Sequence, residues 1–190
     1  MKVIANILVL VFLSLNCMAQ DNKAILDSLK RELEQAQHDS LKINTLLELV
    51  ENCYDESLWP SYNQQAEELL KSTKTCEPIF IKEKSATVIN NWAYQVYNQG
   101  NIDSAIVLYN QVAKVYNEIG NIDGMAMIYN NLGRINQVRG QFQQAITTYT
   151  KSLEIYDTLK NEEGSTTVLA NLSLMYIEQN LFTEALECSK

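Results

Sequence analysis

Histidine is almost missing from this chain: His38 is the only one in 190 residues. A Ser-His-Asp or Cys-His catalytic site would have to use it, and nothing around it has the spacing such a site needs. It reads as a solvated side chain at a helix boundary. Basic residues are outnumbered, 15 Lys and Arg against 23 Asp and Glu, and they form no stripe. A net charge of −8 with no basic patch makes nucleic acid and anionic membrane surfaces poor partners. Cys17, Cys53, Cys76 and Cys188 show no CxxC or metal-ligand spacing, so no metal site is expected. No glycine-rich phosphate loop occurs, no cofactor is implied and no small-molecule substrate site is evident. Proline (2) and glycine (6) are scarce. Few helix breakers, with apolar residues at 3.6-residue spacing, argue for an all-α chain.

Long apolar runs are also lacking. The longest, Ile7–Leu15, is too short for a comfortable membrane span. With Lys2 before it and Cys17-Met18-Ala19 after it, residues 1–19 read as a secretory signal cleaved after Ala19. Cys17 as a lipoprotein cysteine, although Asn16 departs from the small residue usual before one, and an uncleaved anchor are the other two readings. Export permits disulfides. Cys53 and Cys76 lie at opposite ends of a helix of roughly 20 Å, beyond the limit of about 7 Å between bridged Cα atoms. Free thiols are expected.

What the chain does have is one unit written three times. Asn91-Trp92-Ala93, Asn131-Leu132-Gly133 and Asn171-Leu172-Ser173 recur with a period of 40. Gly100, Gly140 and Asn180 follow at one fixed offset, then Ile102, Phe142 and Phe182, then Ala105, Ala145 and Ala185. A fixed period with the same residue class at each offset signals a solenoid. Small residues at Ala93, Gly133 and Ser173 on a first helix, and at the three alanines on a second, let the two pack closely as a hairpin. Gly100, Gly140 and Asn180 suit the left-handed residue that ends a helix. Ile102, Phe142 and Phe182 should fill the wedge between the helices.

This pattern resembles the tetratricopeptide repeat. Its usual unit has about 34 residues, so the period here adds roughly 9 Å of helix. That is similar to the long-helix variety in kinesin light chains and in bacterial sensor and regulator proteins. The resemblance implies a right-handed α-solenoid of antiparallel helix hairpins. Helices are expected near 22–37, 40–55, 59–72, 79–99, 103–119, 122–139, 142–159, 162–179 and 182–190. Residues 20–78 form N-terminal helices with a degenerate repeat at 40–73. Residues 79–190 hold the repeats, about 90–129, 130–169 and an incomplete 170–190. By the same period the third copy should run past Lys190. Solenoids need a polar cap over their last face, so the sequence is expected to be a fragment.

In this family the first helices line a groove that holds a peptide. Asn91, Asn131 and Asn171 belong to that groove by offset, as do Tyr94, Arg134 and Leu174 three residues later. Asparagine is a poor helix-interior residue, and its amide can both donate to and accept from a peptide backbone. The alternative is that the asparagines bond the neighbouring repeat. Tyr94, Tyr97 and Arg134 are interface-type residues if exposed. Asn91, Tyr94, Asn131, Arg134 and Asn171 are thus the candidate peptide-binding residues. The function expected is a non-catalytic, exported protein- or peptide-binding module, the periplasmic sensory part of a larger signalling protein. The alternative is a free-standing periplasmic or envelope adaptor. A membrane enters only through an uncleaved signal or a downstream span.

Overall fold

A computed structural model describes residues 22–53 and 55–188. The signal at 1–19 with its Ala19 cleavage point, and Tyr54, lie outside the described residues. The helices are α1 (22–35), α2 (Asp39–Asn52), α3 (Trp59–Ser72), α4 (Pro78–Asn98), α5 (Ile102–Ile119), α6 (Ile122–Val138), α7 (Phe142–Leu159), α8 (Glu162–Glu178) and α9 (Phe182–Glu187). There is no strand among the described residues. The chain divides into two compact units between Lys84 and Ser85, inside α4.

In the first unit α2 and α3 pack together. Ile43, Leu46, Leu47 and Leu49 of α2 are buried, as are Trp59, Ala66 and Leu70 of α3. The inward stripe of α3 includes Asn63, fully buried, rather than the half-buried Tyr62 that the apolar pattern favours. Ile25 of α1 likewise lies exposed, whereas Leu29 is buried. The end of α3 is tied to the start of α2 through Asp39, whose carboxylate accepts hydrogen bonds from the Thr73 hydroxyl at 2.6 Å and the Thr75 hydroxyl at 3.1 Å. These two donors hold the Asp39 carboxyl below its ordinary range. Pro78 is the first residue of α4, where its missing N–H costs nothing.

The second unit is the repeat array. α5, α7 and α9 begin at Ile102, Phe142 and Phe182 and follow α4, α6 and α8. Within a pair the helices are antiparallel. Ser152, past the middle of α7, donates to the Ala126 carbonyl near the start of α6 (2.7 Å), and Asn136 near the end of α6 donates to Thr148 earlier in α7 (3.2 Å). Left-handed backbone ends the helices where expected: Gly100 (φ +82), Gly120 (φ +70), Gly140 (φ +71) and Asn180 (φ +59). Lys160 (φ +56) takes the same conformation at the offset of Gly120, at a cost of about 1–2 kcal/mol for a residue with a Cβ. Asn101, Asn121 and Asn161 cap α5, α6 and α8 by accepting from the backbone N–H three residues on.

Ala93, Ala105 and Ala145 are fully buried, as close helix crossings require. The crossings are closest where a tyrosine ring lies against a glycine. A Cβ at Gly133 would come 2.6 Å from the Tyr149 ring, at Gly124 2.6 Å from Tyr116, and at Gly164 2.5 Å from Tyr156. Gly124 and Gly164 therefore serve packing, although both stand at helix ends as their spacing suggests. Tyr109, Val112, Ile128 and Ile135 build one core, and Tyr149, Val168, Leu172 and Met175 the next. Ile102 and Phe142 pack against these cores, but Phe182 is 63% exposed. The first two lie under a following helix pair, and no described helix follows α9.

Gly124→Ala tests the ring contact. Better helix propensity would add up to about 1 kcal/mol, against an overpacking cost of about 1–3 kcal/mol beside a tyrosine that cannot swing out to solvent. A net drop in melting temperature is expected, larger still for Ala145→Leu. A rise for both in thermal denaturation would show that the crossings are loose.

Candidate functional site

The expected groove residues lie on α4, α6 and α8, and the structure joins these helices through asparagine. Asn131 Nδ2 on α6 donates to Asn90 Oδ1 on α4 at 3.2 Å, and Asn171 Nδ2 on α8 donates to Asn130 Oδ1 on α6 at 2.9 Å. Asn90 and Asn130 are nearly buried, while Asn91, Asn131 and Asn171 are half-buried. The second asparagine of each doublet thus bonds the first asparagine one repeat earlier. These bonds use the amide N–H groups of Asn131 and Asn171. Their carbonyl oxygens accept nothing from the described residues.

Tyr94 and Arg134 are brought together, with Tyr97 as a third member. The Arg134 guanidinium carbon lies 5.7 Å from the centre of the Tyr94 ring and 5.1 Å from that of Tyr97, within cation–π range. Arg134 forms no ion pair among the described residues. Tyr94 is 40% exposed. In the third repeat the equivalent of Tyr94 and Arg134 is Leu174, well exposed, with Ile177 exposed one turn on.

Tyr109 and Tyr149 lie beneath this surface. Burial pushes both phenols well above the ordinary value of 10, and the charge of Arg134 partly opposes the rise in each. The Tyr149 hydroxyl donates to Gln137 Oε1 at 3.1 Å, and Gln137 Nε2 donates to Glu178 Oε2 at 2.8 Å. This chain runs from α7 through α6 to α8. It fixes the Gln137 amide and holds the Glu178 carboxylate of α8 against α6, the helix that carries Arg134. Gln137, Glu178, Asn90 and Asn130 were not singled out from sequence. The repeated Asn-Asn doublets at 90–91 and 130–131 were the available signal for two of them.

The arrangement offers an exposed ring at Tyr94, an aromatic-backed cation and apolar side chains, which suit a polypeptide ligand. His38 is exposed at the start of α2, and Cys53, Cys76 and Cys188 are free thiols. Among the described residues no group of three His, Cys, Asp or Glu could hold a metal ion, and no helix is long and apolar enough to cross a membrane.

A family model described as tetratricopeptide repeat matches residues 84–158 and 124–190. The crystal structure of BtubC (BKLC) from P. vanneervenii is similar, with a TM-score of 0.59 and 21% identity, over 88% of this chain and 70% of that one. At that identity the likeness concerns the fold alone. No curated protein matches the chain.

The buried phenols predict an alkaline limit. Their neutral form is favoured by folding, so their stabilisation is complete below the unfolded value of 10 and is lost as pH rises, with Tyr156 pushed up to about 12. Absorbance at 295 nm should show Tyr109, Tyr149 and Tyr156 ionising only as helical circular dichroism collapses. Their ionisation near pH 10 with the fold intact would contradict the packing described.

Proposed function

The chain belongs to the tetratricopeptide repeat family, whose repeats generally mediate protein–protein interaction, and we propose that it is a non-catalytic module binding a protein or peptide on the face formed by α4, α6 and α8. Arg134 carries this reading. It is backed by two tyrosine rings, has no carboxylate partner among the described residues, and belongs to a chain of net charge −8. An unpaired cation in an acidic protein attracts an acidic group and sets specificity more than affinity. In this reading Tyr94 contacts the partner's side chains, and the carbonyls of Asn131 and Asn171 accept from its backbone, with Asn91 in the same row. The module is exported through residues 1–19 and forms the sensory part of a larger signalling protein. A free-standing envelope adaptor is the second form of the same reading. Lys2, the apolar run 7–15 and Ala19 support export.

Two experiments test it. A partner cross-linked to the full chain is titrated against Arg134→Ala, Asn131→Ala and Lys114→Ala, the last an exposed control on α5. Arg134→Ala should weaken binding by about 1–2 kcal/mol, with melting unchanged and the control level. Asn131→Ala removes a bond within the stack, so its melting temperature must be read beside its affinity. If it lowers stability alone, the row belongs to the stack and not to the ligand. Unchanged affinity for Arg134→Ala removes the groove. Separately, N-terminal sequencing of the expressed protein should begin at Gln20, and retention of Met1 ends the cleaved-signal reading.

A further inference from the structure

α5, α6 and α7 line a cleft of about 340 Å3 in the second unit. Half-buried Ile106, Leu132 and Tyr129 give it an apolar base, and exposed Asn110, Arg139 and Lys151 give it polar edges. Arg134 and the other groove residues do not line it. The Lys151 ammonium lies 5.9 Å from the centre of the Tyr129 ring and forms no ion pair among the described residues. Arg139 pairs with Asp103, whose side chain is 90% exposed. An ion pair so open to water is weak and yields readily to a better-placed carboxylate.

The two cations of the cleft are not shared with the neighbouring repeats. One period before Tyr129, Asn136, Arg139, Thr148 and Lys151 stand Ile89, Val96, Gln99, Leu108 and Gln111. One period after the first four stand Leu169, Tyr176, Gln179 and Cys188. Neither set contains a cation. Positions that only build the stack keep their residue class from copy to copy. Asn136 and Thr148 bond each other within the pair, which leaves Arg139 and Lys151 as the departures with no packing role.

We propose that this cleft is a second docking site, which takes a glutamate or aspartate side chain from an acidic, leucine-rich segment of a partner protein. Lys151 binds this carboxylate beside Tyr129, Arg139 serves a second one farther along the cleft, and Ile106, Leu132 and Tyr129 cover the aliphatic neighbour. Charge complementarity favours this occupant: two cations line the cleft in a chain of net charge −8, which repels a polyanion such as nucleic acid yet accommodates one or two carboxylates. The site is separate from the groove proposed above and does not depend on it.

The full chain, labelled with 15N, is titrated with acetyl-Leu-Glu-Glu-Leu-amide, its glutamine counterpart, and glutarate. The acidic peptide should shift the amides of Tyr129, Asn136, Thr148 and Lys151 saturably, and the glutamine peptide should bind about tenfold more weakly. Lys151→Gln and Arg139→Gln should each weaken binding about fivefold or more. Both introduce the residue that the preceding repeat carries at that offset, so the fold is preserved. Asp103→Asn should tighten binding by freeing Arg139, and Lys114→Ala, an exposed residue outside the cleft, should leave it unchanged. The proposal is overturned if the cleft amides do not shift at millimolar peptide, or if both peptides bind equally. It is also overturned if glutarate binds as tightly as the acidic peptide, since a small-anion site is then present rather than a docking site.

Discussion

The repeat array depends on the contact between a tyrosine ring and a helix backbone that has no Cβ. Tyr116 on Gly124, Tyr149 on Gly133 and Tyr156 on Gly164 recur at the crossings of successive helices. A ring seated this deeply brings two helices closer than a side chain on both sides would allow, and it fills the crossing without a void. Its hydroxyl remains available at the edge. Tyr149 uses it to bond Gln137 and so begins the chain to Glu178 on the next repeat. Close packing and the polar surface therefore share one side chain, and the positions of Arg134, Gln137 and Glu178 follow from where the tyrosines lie.

A second constraint is polar and runs between repeats. Antiparallel pairing alone leaves the angle between pairs free, because apolar contact is not directional. The Asn90–Asn131 and Asn130–Asn171 bonds restrict it. Each side-chain hydrogen bond contributes only about 1 kcal/mol net, yet a nearly buried amide left without a partner would cost more than that. The asparagines thus favour one register of neighbouring repeats over others of similar apolar burial. A side chain with both a donor and an acceptor can serve the stack with one and a ligand with the other, so the two roles weighed for these residues are not exclusive.

The two faces of the array differ in chemistry for a related reason. On α4, α6 and α8 the cation is backed by two rings and stands beside exposed leucine and isoleucine. On the side lined by α5, α6 and α7 two cations line a cleft, at positions where the neighbouring repeats carry none. Both sets are unusual in a chain with an excess of acid. An acidic surround lowers the non-specific attraction of polyanions and leaves these few cations as local sites.

The sequence by itself determined the helices, their order and their turns. Periodicity, scarce proline and a repeated glycine or asparagine are local properties, and the αL residues at 100, 140 and 180 follow from them directly. The repeat period also put Asn91, Asn131, Asn171, Tyr94 and Arg134 on one row before any contact was known. Several matters lay beyond it. Gly133 was legible as a packing position, but its partner Tyr149 is 16 residues away on the opposite helix. Asn63 is buried in place of Tyr62 because partner helices, not hydropathy, decide which part of a helix is covered. Gln137 and Glu178 gain meaning only when three helices meet. The α5–α7 cleft needs Lys151 and Tyr129 side by side, a proximity that no linear spacing encodes. Local chemistry sets the elements, but distances between elements depend on how side chains interlock, and that is decided only when the helices pack.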